Sequence, residues 1–213
     1  MEDLQKLFDA VVNGDAPAAR TITEEALAKG VDALKLVNQY MSPAMAEVGQ
    51  RFERCDYFVP ELLLSARAMK SALELIRPRL IAQGAQPAGR VVIGTVKGDL
   101  HDIGKNLVAA MLEGGGFEVI DLGVNVDPQK VVETVKERNA NVVAMSALLT
   151  TTMNSMRSTI DALKASGVRE RVKVLIGGAP ITQRFADEIG ADGYSENAAE
   201  AVSLARRVLG LAA

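Results

Sequence analysis

The nonapeptide GDLHDIGKN at residues 98–106 contains His101, the single histidine in 213 residues. The carboxylate of Asp99 lies two residues before it, and Gly104 follows three residues after it. A carboxylate beside an imidazole is the usual construction of a metal-ligating histidine, because it keeps one ring nitrogen protonated and leaves the other for the metal. This spacing indicates that His101 binds a metal or a cofactor, with a surface histidine that has no such role as the alternative.

Two later segments contain residue types that suit a large ligand. One carries hydroxyl groups that can donate and accept hydrogen bonds, at Ser146, Thr150 and Thr152. The other is the pair Gly177–Gly178, where the absence of side chains lets the backbone approach a flat or bulky ligand. Each signal is weak alone, because hydroxyl side chains near a helix start commonly cap that helix and paired glycines commonly form a turn.

The elements that position these segments are predicted from apolar runs that alternate with amphipathic stretches. Strands are predicted at residues 91–96, 117–122, 142–145 and 172–176, and helices at 105–114, 128–138, 151–166, 182–189 and 197–209. Strict alternation indicates right-handed crossovers and a parallel sheet, so the loops at the carboxyl ends of the strands meet at one edge. We therefore predict that residues 90–213 form an α/β doubly wound, flavodoxin-like parallel sheet, for which we expect five strands, one more than these apolar runs mark.

The amino-terminal part of the chain has helical periodicity instead. Over residues 1–83, apolar side chains recur every three or four residues in four stripes, separated by breaks at residues 13–15, at Gly30 and at residues 53–57. Four helices with short connections predict an all-α four-helix bundle that precedes the sheet. Small and flexible residues then predict a linker at 84–89, which divides the chain into domains 1–83 and 90–213.

Composition excludes several classes of function. The net charge is −3, with 24 basic and 27 acidic residues mixed along the chain, so we expect no nucleic-acid partner. No apolar run approaches the roughly 20 residues of a membrane helix, and the acidic first residues do not resemble a secretory signal. One cysteine, Cys55, cannot form an internal disulfide. We therefore expect a cytoplasmic protein without a membrane partner.

Together the three segments resemble the cobalamin-binding module, whose pattern is Asp-x-His-x-x-Gly, then Ser-x-Leu, then Gly-Gly. The matching residues here are Asp99, His101, Gly104, Ser146, Leu148, Gly177 and Gly178. The amino-terminal half, at residues 48–52, 57–61 and 65–67, is similar to the helical cap of methionine synthase. It is at least as similar to the small corrinoid proteins of methanol, methylamine and methoxy-aromatic demethylase systems. The resemblance covers nearly the whole chain.

The resemblance implies a base-off, His-on corrinoid with His101 as the cobalt ligand. Asp99 would accept the other ring N–H, and Thr152 would complete this relay where methionine synthase has a serine. Further cofactor contacts are implied for the neighbours of the histidine and for the two later loops, namely Asp102, Ile103, Gly104, Ser146, Leu148, Thr150, Gly177 and Gly178. Phe52 and Val59 match residues that cover the methyl face of the corrinoid, with burial in the bundle core as the alternative.

The function implied is that of a methyl carrier in one-carbon metabolism and methylotrophy. Cobalamin or a related corrinoid would receive a methyl group from a substrate-specific methyltransferase. A second methyltransferase, serving tetrahydrofolate or a thiol, would then take it, and a reductive activase would restore Co(I). Such a chain is a subunit of a methyltransferase system without turnover of its own. The methyl donor stays open among methanol, methylamines, glycine betaine and methoxy-aromatic compounds.

Other functions share part of this pattern. A cobalamin subunit of a radical mutase would have the three loops but has no use for a helical cap. A cobalamin-sensing regulator needs a DNA-binding or signalling module, and no helix-turn-helix with a basic recognition face is evident in residues 1–83. A doubly wound protein without a corrinoid is the remaining alternative.

Three further residues lie near the candidate site or in the break between helices. Lys97 and Lys105 flank the histidine segment, and we expect exposed lysines at helix ends, with contact to the corrinoid phosphate as the alternative. Cys55 is expected to be an inert small residue rather than a thiolate ligand.

Overall fold

The computed structural model describes residues 2–82 and 87–211. The chain divides into two compact units, one comprising Met1–Pro87 with Glu113–Gly116, and the other Ala88–Leu112 with Phe117–Ala213. Residues 84–86 of the predicted linker lie outside the described residues, so the linker and the domain boundaries drawn from it stay predictions.

The first unit is helical. Its helices are α1 (Glu2–Val12), α2 (Ala16–Ala28), α3 (Ala33–Leu36), α4 (Ser42–Glu53) and α5 (Val59–Ala82). The π-helical segment Val37–Met41 joins α3 to α4, so these form one continuous segment and the bundle has the four helical segments predicted. Although α5 has 24 residues, no helix in the described part of the chain is long and apolar enough to cross a membrane.

Local sequence explains where several of these helices begin. Asp15 accepts a hydrogen bond from the Ala18 N–H at 3.0 Å, and Asp32 accepts one from the Lys35 N–H at 2.9 Å. Each bond satisfies a donor that the first turn of a helix leaves unpaired. Inward-facing apolar side chains then close the bundle, and those fully buried include Leu7, Leu36, Met41, Leu62, Met69 and Ile76.

The second unit is built on five parallel strands in the order β2-β1-β3-β4-β5. They are β1 (Arg90–Thr95), β2 (Glu118–Asp121), β3 (Val142–Ser146), β4 (Lys173–Gly177) and β5 (Gly193–Tyr194). The intervening helices are α6 (Ile103–Gly114), α7 (Pro128–Arg138), α8 (Asn154–Ala165) and α9 (Gln183–Ile189), and α10 (Ala198–Val208) follows β5. The predicted doubly wound sheet preceded by a helical bundle is confirmed.

Helices cover both faces of this sheet. Val92, Val143 and Val174 pack in a core on one face with residues of α7, α8 and α9. Val91 and Leu175 lie in the other core with residues of α6 and α10. Burial on both faces explains why the strands read as continuous apolar runs.

The register of the central strands determines where the candidate loops meet. Thr95 at the end of β1 pairs with Ser146 at the end of β3, and Ser146 pairs with Gly177 at the end of β4. Because these three residues lie in one row across the sheet, the loops that follow them begin side by side. The arrangement expected from the strand pattern is therefore present.

Candidate functional site

Asp99 is the centre of a hydrogen-bond network at this edge of the sheet. Its side chain is fully buried. Oδ1 lies 2.6 Å from Nδ1 of His101 and accepts the His101 backbone N–H at 3.1 Å. Oδ2 accepts hydrogen bonds from Leu148 N at 2.8 Å, Leu149 N at 3.3 Å and Thr152 Oγ1 at 2.8 Å. The network therefore joins the loop after β1 to the loop after β3.

This network keeps Asp99 ionised. Burial by itself raises the pKa of this carboxyl, but the hydrogen bonds from the Leu148 N–H, the His101 ring and the Thr152 hydroxyl outweigh it. Together they hold the pKa of Asp99 well below its usual range. The shared proton therefore belongs to Nδ1 of His101, and the carboxylate accepts it as a hydrogen bond.

The orientation of His101 leaves its second ring nitrogen available. The side chain is half exposed, and within residues 2–82 and 87–211 no hydrogen-bond partner contacts Nε2. Thr95 Oγ1 donates to the His101 carbonyl oxygen at 2.7 Å, which holds the backbone of the same residue. A fixed imidazole with a free Nε2 is the form in which histidine ligates a metal.

The hydroxyl of Thr152 lies within reach of two acceptors. Oγ1 is 2.8 Å from Asp99 Oδ2 and also 2.8 Å from the Leu149 carbonyl oxygen. A hydroxyl has one proton, so it donates to one of these at a time. The additional methyl group of threonine does not prevent contact with Asp99.

Exposed apolar side chains lie in the same two loops as the histidine network. Ile103 is 82% exposed at the start of α6, Leu100 is 72% exposed, and Leu148 is 43% exposed beside Asp99. Asp102 is also exposed, and its carbonyl accepts the Asn106 N–H at 2.7 Å in the first turn of α6. Such an apolar surface around a polar centre is typical of a site that a ligand covers.

Two glycines at this edge of the sheet have different surroundings, one open and one closely packed. A Cβ at Gly104 would meet nothing within 4 Å. A Cβ at Gly178, whose φ is +127°, would lie 2.0 Å from the carbonyl oxygen of Ala147. Only glycine therefore allows the loops after β3 and β4 to meet, and Ala147 N donates to the Gly177 carbonyl there at 3.3 Å. Thr150 is exposed.

The prediction of an exposed Lys105 is wrong. Its side chain is 2% exposed, and Nζ donates to Asp121 Oδ2 at 2.5 Å and to Asn106 Oδ1 at 2.6 Å. The partner Asp121 is the last residue of β2. The sequence around Lys105 therefore gives no sign that a carboxylate from this strand will meet it. Lys97 is exposed as expected and pairs with Asp127 at 2.7 Å.

The two candidate residues in the helical unit flank the break between α4 and α5. Phe52 is partly exposed in the last turn of α4, and Val59 is 40% exposed at the start of α5. Burial of both in the bundle core, the alternative interpretation, does not fit this exposure. Cys55 is exposed within the break and has a positive φ of 61°.

Comparison with known proteins agrees with this description. Residues 89–203 match a family model described as the B12 binding domain, and residues 3–77 match a second model with the same description. Trimethylamine corrinoid protein 1 of Methanosarcina acetivorans is 43% identical over 210 residues, which are 98% of this chain and 97% of that protein. A dimethylamine corrinoid protein of Methanosarcina barkeri is 41% identical over 98% of both chains.

Solved structures extend the similarity to the fold. A cobalamin-binding protein from Desulfitobacterium hafniense superposes with a TM-score of 0.81 and 36% identity, over 96% of this chain and 97% of that one. A chain of the methanol:cobalamin methyltransferase complex from Methanosarcina barkeri gives a TM-score of 0.85 and 28% identity, over 98% of this chain and 80% of that one.

The fold, the strand-end motifs and the two domain matches define a cobalamin-binding protein. More particularly, the chain belongs to the family of methyl-carrying corrinoid proteins of methyltransferase systems. The predicted cofactor, cobalamin or a related corrinoid, is confirmed.

Proposed function

We propose that His101 ligates the cobalt of a base-off corrinoid, and that the protein passes a methyl group between two methyltransferases. The corrinoid, when bound, supplies the cobalt that accepts and releases the methyl group. The observation that carries this proposal is the 2.6 Å contact between His101 Nδ1 and Asp99 Oδ1, which leaves Nε2 free. The exposed apolar side chains around the histidine also suit a large macrocycle.

Asp99 and Thr152 act on the Nδ1 side of the His101 ring, opposite the proposed metal-binding nitrogen. Asp99 holds the proton on Nδ1 and so selects the tautomer in which Nε2 has a lone pair. A carboxylate in this position also raises the basicity of the imidazole, which strengthens a bond from Nε2 to a metal. The Thr152 hydroxyl and the N–H groups of Leu148 and Leu149 hold the carboxylate in place.

The remaining site residues are proposed to contact the corrinoid. On the α/β unit these are Asp102, Ile103, Gly104, Ser146, Leu148, Thr150, Gly177 and Gly178, which begin or line the three adjacent loops. On the helical unit they are Phe52 and Val59, whose partial exposure leaves apolar surface for a ligand.

The partners are proposed to be a substrate-specific methyltransferase, a second methyltransferase serving tetrahydrofolate or a thiol, and a reductive activase. Similarity to the trimethylamine and dimethylamine corrinoid proteins makes methylamines the first donors to test. Loading of the Co(I) protein should be measured with trimethylamine, dimethylamine and methanol, each with its own methyltransferase. Transfer from methanol alone would contradict the methylamine assignment.

Cobalamin binding through His101 is tested by anaerobic titration of the protein with hydroxocobalamin. We expect one corrinoid per chain, with nitrogen superhyperfine splitting in the electron paramagnetic resonance (EPR) spectrum of the Co(II) form. The splitting should disappear in His101→Ala. Lys97→Ala is the matched control, because this exposed lysine lies in the same loop and should leave the splitting intact. Stoichiometric binding without the splitting would contradict the His-on form.

A further inference from the structure

The loop that joins β2 to α7 contacts the histidine loop although it holds no candidate ligand. Asn125 makes the contact from both its backbone and its side chain. Its N–H donates to the Asp99 carbonyl oxygen at 2.9 Å, and its Oδ1 accepts the Gly98 N–H at 2.8 Å. One residue therefore holds the main chain on both sides of the Gly98–Asp99 peptide.

Neighbouring bonds attach this loop to the start of the histidine loop. Thr95 N donates to the Gly123 carbonyl at 2.9 Å, and Val126 N donates to the Thr95 carbonyl at 3.0 Å. The ion pair between the buried Lys105 and the exposed Asp121 connects the same region to α6, and Asp121 Oδ1 accepts the Gly123 N–H at 2.8 Å. The loop is thus attached to β1 and, through Lys105, to α6.

The Gly98 backbone needs such a contact because packing does not restrain it closely. Gly98 has a φ of +86°, and a Cβ there would find only Thr152 Cγ2, at 3.5 Å. Glycine adopts many backbone conformations at little energetic cost, so the hydrogen bond to its N–H restrains the orientation of the following residue, in addition to the bond from the Asp99 N–H to the Val96 carbonyl at 3.1 Å. That following residue is Asp99, whose side chain directs the ring of His101.

We propose that Asn125 is a positioning residue for His101, which acts through the Gly98–Asp99 backbone. This role rests on the proposed function of His101 as the cobalt ligand. The side-chain bond narrows the range of Asp99 positions and so favours the ring orientation in which Nε2 reaches a metal. Supporting contacts of this kind are what keep a metal ligand in its productive geometry.

Asparagine suits this position for two reasons. Its φ is +52°, a conformation that asparagine tolerates better than most residues. The residue is also exposed, so the loss of its side chain removes little buried surface. Asn139 offers a matched control, because it is exposed, has a φ of +49° and ends α7 in the same unit.

The test compares N125G, which keeps the backbone conformation without the acceptor, with N125D, which retains an acceptor oxygen. The control is N139G. The first measurement is hydrogen exchange of the Gly98 amide in the protein without corrinoid. The second is the ratio of His-bound to His-free Co(II) in the EPR spectrum after cobalamin is bound.

One hydrogen bond corresponds to about a fivefold change in an equilibrium. We therefore expect N125G to exchange the Gly98 amide about fivefold faster and to lower the His-bound ratio by a similar factor. N125D and N139G should stay within about twofold of the wild type in both measurements.

Three results would overturn the positioning role. In the first, N125G leaves the His-bound ratio unchanged, even if the Gly98 amide exchanges faster. In the second, the His-bound ratio falls as far in N125D as in N125G, which means that the acceptor oxygen is not what positions His101. In the third, the wild type itself shows no nitrogen splitting. The proposed function then fails as well, and the Gly98 amide still reports whether the hydrogen bond forms.

Discussion

In the β1–α6 loop, Asp99 accepts hydrogen bonds from residues as far as 53 positions away in the sequence. In the break between α4 and α5, by contrast, most side-chain hydrogen bonds join residues that are close in sequence. Within the break, Arg51 Nη1 donates to the Tyr57 hydroxyl at 3.0 Å. A long-range bond runs from that hydroxyl to the Val12 carbonyl at 3.2 Å. Phe52 and Val59 lie on either side of it, partly exposed.

This difference matches the two tasks proposed for the regions. A metal ligand must hold one orientation, because a small displacement changes its bond to the metal. An apolar residue that shields a reactive centre needs surface area rather than a fixed angle. Substitutions in the β1–α6 loop should therefore alter ligation and stability together, and substitutions in the break should alter neither strongly.

Asp99→Asn should have the largest effect. The asparagine amide would turn an N–H group toward hydrogen-bond donors that face a carboxylate in the wild type. Loss of these charge-assisted hydrogen bonds should lower the free energy of unfolding by about 2–3 kcal/mol at neutral pH. Urea unfolding of the protein without corrinoid measures this change. Asp127→Asn is the control and should have little effect, because it alters an exposed ion pair and keeps a side-chain oxygen that can cap α7.

The effect of Asp99→Asn should also depend on pH. The folded pKa of Asp99 lies below the unfolded value of about 3.9, so the carboxylate contributes stability above that value. This contribution to stability is lost as the pH falls from the unfolded pKa toward the folded pKa of Asp99. The difference between wild type and variant should therefore shrink in acid, and a difference that grew instead would contradict the network described here.

Thr152→Val should have the next largest effect. It keeps the shape of the side chain but removes one donor to Asp99, which should lower the free energy of unfolding by about 1–2 kcal/mol. Thr152→Ser keeps the hydroxyl and is the matched control. If the serine variant lost as much stability as the valine variant, packing of the methyl group would be the dominant contribution.

Tyr57→Phe tests the bond that holds the break. Removal of the hydroxyl should lower the free energy of unfolding by about 0.5–1 kcal/mol, and the Co(II) nitrogen splitting should not change. Tyr40→Phe, in the π-helical segment of the same unit, serves as the control. A change in the splitting of Tyr57→Phe would show that the break between α4 and α5 influences cobalt ligation, which would contradict the separation of the two regions.

Phe52→Ala should have the smallest effect on cobalt ligation by His101. The Co(II) splitting should match the wild type, while the Co(I) form should oxidise faster in air because apolar shielding is reduced. Stopped-flow absorbance measures the oxidation rate. An unchanged oxidation rate would remove Phe52 from the proposed shield.

Much of the α/β unit could be predicted because its signals are local. The α7 prediction, residues 128–138, agrees with the observed helix, since the Asp127 cap, Pro128 and the left-handed Asn139 mark both ends. In contrast, β5 is two residues long and has no apolar run. Its Gly193 lies close to Leu204 of α10, where a Cβ would be 2.9 Å from the leucine side chain, so tertiary packing determines this strand.

The sequence by itself determined the strand and helix pattern and the Asp-x-His-x-x-Gly spacing, because hydrophobic periodicity and residue spacing depend only on near neighbours. Only the tertiary structure decided that Lys105 is buried against Asp121 and that Asn125 contacts Gly98 and Asp99. These partners lie 16 to 27 residues apart in the chain and meet because β2 pairs with β1. A contact made by strand pairing leaves no mark in the local sequence, and so the roles of Asp121 and Asn125 could not be found from it.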